Sequence, residues 1–226
     1  MSNIKYLIPA RKNSKGLPFK NRILFNYTAE LLKNNNENVI VSSDDDFIKI
    51  LSKKYKFNFH NRSKKNSSSK ATTKDFVTEV IRDLNLSNND IIVMLMLTYP
   101  NREISDVKKC IEFFNLSNSK SLLCKKDVKV SPYLMMFEKD FNLGEQVIKH
   151  NLCRRQDYKK VFEICHFISI FNVSEVKNLN NNLYNNNTIF YKLEKQIFDI
   201  DTKKDLENFY AYKRKNKNNC GNWNKS

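Results

Sequence analysis

A basic loop follows directly on the first strand that the sequence predicts. Residues 7–21 read Leu7-Ile-Pro-Ala-Arg11-Lys-Asn-Ser14-Lys15-Gly16-Leu-Pro-Phe-Lys20-Asn21. Residues 4–9, which are apolar except for Lys5, are typical of a buried strand, and the mostly polar residues 10–21 are typical of a loop. Because α/β proteins bind ligands at the carboxyl ends of their strands, this loop has the position of a ligand-binding loop.

The sequence beyond this loop alternates helices and strands, which predicts an α/β fold. Strands are predicted at residues 38–43, 57–60, 90–97 and 121–124. Helices are predicted between them at residues 23–32, 44–55, 72–84 and 105–114. Because such alternation is typical of βαβ units, we expect a mixed, mostly parallel sheet covered by helices.

The regular alternation ends after residue 125. Residues 130–165 are irregular, and we interpret them as an insertion, with a short strand at 133–137, into one domain that covers residues 1–212. Further elements are predicted beyond the insertion: strands at residues 167–171, 189–193 and 198–201, and a closing helix at residues 202–212. Residues 213–226 are rich in lysine and carry no acidic residue, which predicts a disordered basic tail.

The composition is that of a globular protein. The chain has 226 residues, 40% of them hydrophobic, which suffices for one domain with a sizeable core. The longest apolar run, residues 91–97, is much shorter than the roughly 20 residues of a membrane-spanning helix. The start of the chain has no signal-peptide pattern, and the five cysteines form no C-x-x-C pair. We therefore expect a cytoplasmic protein with reduced thiols and no membrane partner.

The scarcity of glycine excludes two nucleotide-binding motifs. The chain has three glycines, at positions 16, 144 and 221. Both G-x-G-x-x-G and G-x-x-x-x-G-K-[ST] need at least two glycines within six residues. The dinucleotide fingerprint and the Walker A loop are therefore both absent from the sequence.

The formal net charge of +16 leaves the binding of a polyanion open. Lysine greatly outnumbers arginine, whereas geometric recognition of phosphates favours arginine. Aromatic residues such as Phe57 and Phe59 fit a core better than a stacking platform. We therefore expect no nucleic-acid partner, and a non-catalytic polyanion-binding protein stays as the alternative of another class.

The residue types of the basic loop suit a triphosphate. Arg11, Lys15 and Lys20 supply positive charge, and Ser14 supplies a hydroxyl donor for phosphate oxygens. Gly16 permits a close approach of the backbone. The alternative interpretation is a solvated basic turn, which is the weaker one because a scarce glycine lies in a loop directly after the first strand.

A pair of carboxylates near the end of the chain predicts a metal site. Asp199 and Asp201 are two residues apart, so in a strand their side chains point to the same face. Two carboxylates on one face are costly unless a cation lies between them, and oxygen ligands suit Mg²⁺. The alternative is helix capping by Asp201 or Thr202 with Asp205, which leaves Asp199 unexplained.

Four motifs resemble those of the CMP-sugar synthetases, the cytidylyltransferases that activate acylneuraminates and Kdo. The family loop I-P-A-R-x-x-S-K-G-x-x-x-K-N matches residues 8–21 at every fixed position. The other motifs follow in the order of the family: Val41-Ser-Ser-Asp-Asp45, Arg154-Arg-Gln-Asp157 and Asp199-Ile-Asp201-Thr-x-x-Asp205-Leu206. The resemblance spans about residues 4–210.

This resemblance implies a three-layer nucleotidyltransferase (Rossmann-like) fold and transfer of CMP from CTP to an acidic 2-keto-3-deoxy sugar, with Mg²⁺ as cofactor. It assigns catalysis to Arg11, Lys20 and Asp201, and metal binding to Asp199 and Asp201. The nucleotide site would comprise Arg11, Ser14, Lys15, Gly16, Lys20, Asn21 and Arg62. The sugar site would comprise Thr98, Arg155, Gln156 and His166.

The resemblance also implies a homodimer joined through the insertion. The insertion is unusually apolar for a surface segment, because it contains Tyr133, Met135, Met136, Phe137 and Phe141. An apolar surface of that kind usually has a partner. A second copy of the chain is therefore the expected protein partner, beside CTP and the sugar.

The sugar side departs from the family pattern. Residues 96–100 read Met-Leu-Thr-Tyr-Pro where the family usually has Q-P-T-S-P. Cys165-His166 stands where the family has N-G. A pocket that loses an amide and gains bulk binds a polyhydroxylated sugar less well, so we expect N-acetylneuraminate to be a poor substrate. A Kdo-activating enzyme and another sugar nucleotidyltransferase remain alternatives. Asp44, Asp45 and Asp46 are interpreted as a helix start, and His60 as an ordinary histidine.

Overall fold

Nine strands and six α-helices lie in the part of the chain that the computed structural model describes, residues 3–220. The strands are β1 (Ile4–Pro9), β2 (Val39–Ser43), β3 (Asn58–Asn61), β4 (Ile91–Met94), β5 (Ser121–Asp127), β6 (Met136–Glu138), β7 (Gly144–Gln146), β8 (Phe162–Asn172) and β9 (Ile189–Lys192). The helices are α1 (Lys20–Leu32), α2 (Asp46–Lys54), α3 (Lys64–Ser67), α4 (Thr73–Asp83), α5 (Ile104–Leu116) and α6 (Lys203–Cys220).

Seven strands form one mixed sheet in the order β3-β2-β1-β4-β8-β5-β9. The pairs among β1 to β4 are parallel, as is the pair of β5 and β9, whereas β8 runs antiparallel to both of its neighbours. The carboxyl ends of β1 to β4 therefore meet at one edge of the sheet. Strands β6 and β7 form a separate antiparallel hairpin.

Helices cover both faces of the sheet, which confirms the predicted α/β fold. Ile8 of β1 belongs to one core, with apolar residues of α1, α2, α5 and α6. Its neighbour Leu7 belongs to the other core, with Phe76, Val77 and Val80 of α4. Successive residues of a strand point to opposite faces, so an apolar run such as that of β1 supplies both cores. The layers are thus helices, sheet and helices.

The closing helix is longer than predicted. It continues to Cys220, so residues 213–220 are helical and the predicted disordered tail is wrong there; residues 221–226 of that tail lie outside the described residues. The ammonium of Lys213 lies 4.6 Å from the ring centre of Tyr27 and 5.7 Å from that of Phe209. This cation–π packing and the lack of proline or glycine before residue 221 explain the longer helix.

The strands predicted at residues 198–201 and 133–137 differ most from the structure. Residues 198–201 are irregular, because their polar groups bond to the loop after β4 and to α1 instead of to a neighbouring strand. In the insertion, Pro132–Leu134 forms a 3₁₀ turn, so strand β6 begins at Met136 and not at residue 133. No helix of the described residues is long and apolar enough to cross a bilayer.

Candidate nucleotide-binding site

A cleft of about 440 Å³ opens at the edge where the parallel strands β1 to β4 end. Nine of the residues predicted for the site line it: Arg11, Ser14, Lys20, Asn21, Arg62, Thr98, His166, Asp199 and Asp201. They come from the loops after β1, β3, β4 and β9, from the first turn of α1 and from strand β8. Residues far apart in the sequence thus form one site.

The basic loop places two cations in this cleft. Lys20 is the first residue of α1 and is almost buried, and its ammonium lies 2.5 Å from a carboxylate oxygen of Asp201. The guanidinium of Arg11 reaches the backbone oxygen of Ser68 at 3.4 Å. The amide of Asn21 donates to the backbone oxygen of Arg11 at 2.8 Å, so Asn21 also closes the loop.

The acidic residues after β2 hold this loop in place. The carboxylate of Asp44 accepts from the backbone amide of Lys12 at 2.7 Å. Asp45 accepts two hydrogen bonds from the Arg22 guanidinium, at 2.7 and 2.9 Å, and one from the Phe47 amide at 3.0 Å. Asp45 therefore caps α2, as predicted, and it also joins the start of α2 to α1.

Gly16 and Lys15 do not line the cleft in the described structure. Gly16 instead packs against the backbone of Asp201, and a Cβ atom at this position would clash with the Asp201 carbonyl oxygen. A close approach of two loops is one reason for a glycine. The side chain of Lys15 is exposed outside the cleft, so its predicted contact with a nucleotide is not prepared in the structure.

Asp199 and Asp201 belong to the loop before α6. The Tyr99 hydroxyl donates to Asp199 at 2.9 Å, and the Ile200 amide donates to the Thr98 backbone oxygen at 2.8 Å. These bonds fix the acidic loop to the loop after β4. Although Asp199 as a residue is exposed, the cleft walls partly desolvate its carboxyl and raise its pKa, and the Asp201 charge raises this pKa further.

Helix capping does not account for the two aspartates. Asp205 accepts from the backbone amide and the hydroxyl of Thr202, at 2.8 and 2.7 Å, and Thr202 accepts from the Asp205 amide. Thr202 and Asp205 therefore form the capping box of α6. The side chains of Asp199 and Asp201 take no part in this capping box, and both residues line the cleft.

The two carboxylates fit a magnesium ion by their chemistry. Both line one cleft beside a group of cations, and the raised pKa of Asp199 marks a negative charge that the protein compensates only in part. A hard divalent cation prefers such oxygen ligands and would stabilise both charged forms.

Arg62 is held almost completely buried on one wall of the cleft. Its Nε donates to the Ser42 hydroxyl at 3.1 Å and its Nη2 to the Ser42 backbone oxygen at 2.9 Å. The guanidinium lies 4.2 Å from the ring centre of Phe76. Burial lowers the pKa of Arg62 to about 10, which still leaves it charged at neutral pH.

The residues predicted for the sugar divide into two groups. Thr98 and His166 line the cleft, and burial lowers the pKa of His166, so its imidazole is neutral at pH 7. Arg155 and Gln156 lie on an exposed 3₁₀ turn, Arg155–Asp157, and the structure does not bring them to the cleft of the same chain. Their role in sugar binding stays a prediction.

Sequence reasoning missed two features of the site. The polar residues Asn66, Ser68, Ser69 and Thr72 form a wall of the cleft, although none of them was predicted for the site. Tyr99, interpreted as apolar bulk, is buried with its hydroxyl on Asp199. The only sequence feature that pointed to Tyr99 as part of the site was its position in the altered family motif at residues 96–100.

Residues 6–218 match the sequence profile of the family described as cytidylyltransferase. The chain belongs to this family. Its loop after β1 and its acidic pair, the features that carried the resemblance to CMP-sugar synthetases, meet in one cleft, and the resemblance is confirmed at the level of the family.

The relatives of this cytidylyltransferase-family chain are distant. An N-acylneuraminate cytidylyltransferase of Streptococcus agalactiae serotype V is 23% identical over 212 residues, which are 88% of this chain. The chain spans about half the length of that protein, 51%. Two strains of other serotypes have similar proteins at the same identity.

Solved structures share the fold of the chain at low identity. A CMP-2-keto-3-deoxy-manno-octonic acid synthetase in complex with CTP has a TM-score of 0.68 at 13% identity, with 95% of this chain and all of that chain covered. The 4-diphosphocytidyl-2C-methyl-D-erythritol synthase of Anaerococcus prevotii has a TM-score of 0.63 at 14% identity, covering 94% and 99%. Both are similar in fold to this chain, which confirms the nucleotidyltransferase architecture.

Proposed function

We propose that the protein transfers CMP from CTP to an acidic 2-keto-3-deoxy sugar, an acylneuraminate or related nonulosonate, and releases pyrophosphate. One observation carries the proposal: Arg11, Lys20 and Arg62 line the same cleft as the carboxylates of Asp199 and Asp201. A triphosphate needs the cations, a divalent metal needs the carboxylates, and a polyanion-binding protein has no use for the latter. The name of the Streptococcus relatives, N-acylneuraminate cytidylyltransferase, supports the same substrate class.

The basic loop would bind the triphosphate. Lys20 and Arg11 place positive charge where the leaving pyrophosphate gains negative charge, and Ser14 adds a hydroxyl donor. Charge that is fixed in place before the reaction stabilises the transition state more than it stabilises the ground state. Arg62, which lines the same cleft, would donate to the carbonyl oxygen of the pyrimidine.

The sugar hydroxyl at the anomeric carbon would attack the α-phosphorus in line. The new bond joins this oxygen to phosphorus, the bond between the α-phosphorus and the bridging oxygen breaks, and pyrophosphate leaves with that electron pair. The hydroxyl proton is released to solvent. Asp199 and Asp201 would hold Mg²⁺, which supplies charge neutralisation at the phosphates when it is bound.

The wall formed by Thr98, Tyr99 and His166 would receive the sugar. Tyr99 contributes no free hydroxyl there, because its hydroxyl is bound to Asp199. A neutral His166 can accept or donate one hydrogen bond to the sugar. These side chains favour an acid sugar with fewer free hydroxyls than N-acetylneuraminate, such as a 5,7-diamino nonulosonate or another 2-keto-3-deoxy acid.

We also propose that two copies associate through the β6–β7 hairpin. Apolar side chains are exposed along it: Met135, Met136, Phe137, Phe141 and Leu143. Tyr133 does not belong to this surface, because it is buried against Tyr158 at a ring distance of 4.8 Å. A second copy would remove the apolar surface from water.

Thermal unfolding with each nucleotide tests the nucleotide assignment. Because a ligand that binds only the native state raises stability by mass action, CTP with Mg²⁺ should raise the melting temperature of the protein more than ATP or GTP does. Equal stabilisation by all nucleotides, abolished by moderate salt, would support the polyanion-binding alternative instead.

A further inference from the structure

Arg62 is a buried cation without a directly paired carboxylate. Among the described residues no carboxylate oxygen lies within 4 Å of its guanidinium, and both of its hydrogen bonds go to Ser42. A buried charge is costly unless it is compensated. The negative charges of Asp44 and Glu79 act on the guanidinium through space, without a hydrogen bond to it. The hydrogen bonds of the guanidinium instead begin a chain at Ser42.

This chain leads through His60 to a carboxylate on α4. The Ser42 hydroxyl lies 3.1 Å from Nδ1 of His60, and Nε2 of His60 lies 3.2 Å from Oδ2 of Asp83. Ser42 and His60 are buried, whereas Asp83 is partly exposed at the end of α4. The guanidinium, a hydroxyl, an imidazole and a carboxylate thus follow one another in a line.

The direction of each hydrogen bond follows from which of the atoms in the chain carries a proton. Asp83 is a carboxylate, so Nε2 of His60 must carry the proton and donate it. With the ring proton on Nε2, Nδ1 is the acceptor of the Ser42 hydroxyl. The Ser42 oxygen then accepts from Arg62. All donors point from the cleft toward Asp83, and such a chain polarises each of its members.

The same residues do not call for a metal. His60, Glu79 and Asp83 have ligand atoms within 4.8 Å of one another. However, the Glu79 carboxylate accepts from the Ser63 amide at 3.0 Å and from Asn66 at 2.7 Å. Each member already has hydrogen-bond partners, so the cluster is accounted for as part of the polar network.

We infer that Ser42, His60 and Asp83 are positioning residues. They hold the Arg62 guanidinium in the orientation in which it donates to the pyrimidine base. The inference rests on the proposed function, which assigns Arg62 to the base. Phe76 fixes one face of the guanidinium, and the two bonds to Ser42 fix its rotation. The Ser42 backbone oxygen also accepts from the Ala10 amide of the basic loop at 2.9 Å, and a substitution of the Ser42 side chain keeps this backbone bond.

Calorimetric titration of variants with CTP and with inorganic triphosphate, both with Mg²⁺, tests this inference. Ser42→Ala removes the acceptor of Arg62 Nε, so CTP should bind about tenfold more weakly, while triphosphate affinity stays the same. Ser52→Ala is the matched control, because Ser52 is equally buried but donates to Ile48 of its own helix. It should leave both affinities unchanged.

Two substitutions of His60 provide a second test that does not depend on Ser42. His60→Leu removes the acceptor of the Ser42 hydroxyl and should also weaken CTP binding but not triphosphate binding. In His60→Asn the side-chain oxygen can take the place of Nδ1, so CTP affinity should largely return.

The outcomes separate the inference from the proposed function. Wild-type protein that binds CTP no more tightly than triphosphate contradicts the proposed function, and the inference falls with it. Wild-type protein that prefers CTP, with Ser42→Ala and His60→Leu variants that bind CTP as tightly, overturns the positioning role alone. Equal losses for CTP and triphosphate would likewise overturn it, because they indicate a general structural defect.

Discussion

The ammonium of Lys20 lies 2.5 Å from the carboxylate of Asp201, although the two residues are 181 positions apart in the chain. A predicted phosphate-binding residue and a predicted metal ligand therefore neutralise each other across the cleft. A complex of Mg²⁺ and triphosphate offers the lysine a phosphate and the aspartate a cation, so both charges keep a partner on binding.

The first prediction concerns the cations of the basic loop. Lys20→Ala should lower kcat about a hundredfold, because it removes a positioned charge at the leaving group. Lys15→Ala is the control on the same loop, and its side chain is exposed outside the cleft. It should change kcat only slightly. Steady-state rates of pyrophosphate release measure both, and equal effects would contradict the assignment of Lys20.

The second prediction concerns the acidic pair. Asp199→Asn and Asp201→Asn should each lower turnover about a hundredfold or more, because each removes a charged ligand beside the phosphates. Asp205→Asn, in the capping box of α6, is the matched control and should keep most turnover. Binding of Mn²⁺ in the presence of CTP, followed by electron paramagnetic resonance, should weaken in the first two variants only. Undiminished Mn²⁺ binding would show that neither aspartate is a ligand.

The third prediction concerns stability against pH. Burial alone would raise the pKa of Asp45, but the hydrogen bonds from Arg22 and the Phe47 amide outweigh it and lower the pKa. A carboxyl with a lowered pKa in the folded state stabilises the protein above its ordinary pKa, near 3.9, and loses this contribution as the pH falls below that. Arg22→Ala should therefore lower the midpoint of urea denaturation at pH 7 and much less at pH 3.

The control for this third prediction is Lys33→Ala, which breaks an exposed ion pair with Glu30. Exposed pairs contribute little, so this variant should unfold close to the wild-type midpoint at both pH values. A loss in Arg22→Ala that is equally large at pH 3 would mean that the Asp45 charge is not involved.

The fourth prediction concerns assembly. Phe137→Asp places a charge in the exposed apolar surface of the β6–β7 hairpin and should convert a dimer to a monomer at micromolar concentration. Leu116→Asp, at a highly exposed position on α5, should not. Light scattering measures the mass of each. A wild-type monomer at that concentration would exclude the proposed homodimer.

The local elements of the fold could be predicted from the sequence, but their pairing could not. Strand β1 was predicted with its observed ends, because an apolar run between polar segments is a local signal. Strand β8 lies antiparallel between β4 and β5, and its partners are far away in the sequence. Only residues 167–171 of it were predicted, since residues 162–164 at its start are exposed or half-buried.

The site could be predicted as far as its residues belong to sequence motifs. Arg11, Lys20, Asp199 and Asp201 were found because their types and spacing suit phosphate and metal chemistry. The bond between Tyr99 and Asp199 and the chain from Arg62 to Asp83 depend on tertiary contacts between separate elements. His60 was interpreted as an ordinary histidine because a single sequence gives no sign of such contacts.

Pyrophosphate release from CTP in the presence of Mg²⁺ is the direct measure of the proposed CMP transfer. It should be measured with N-acetylneuraminate, a 5,7-diamino nonulosonate and Kdo, with ATP in place of CTP and without sugar as controls. We expect release that needs both CTP and an acid sugar, with N-acetylneuraminate giving a lower kcat/KM than the best acid of the panel. Release that is the same with and without every acid, or the same with ATP, would contradict the proposed transfer.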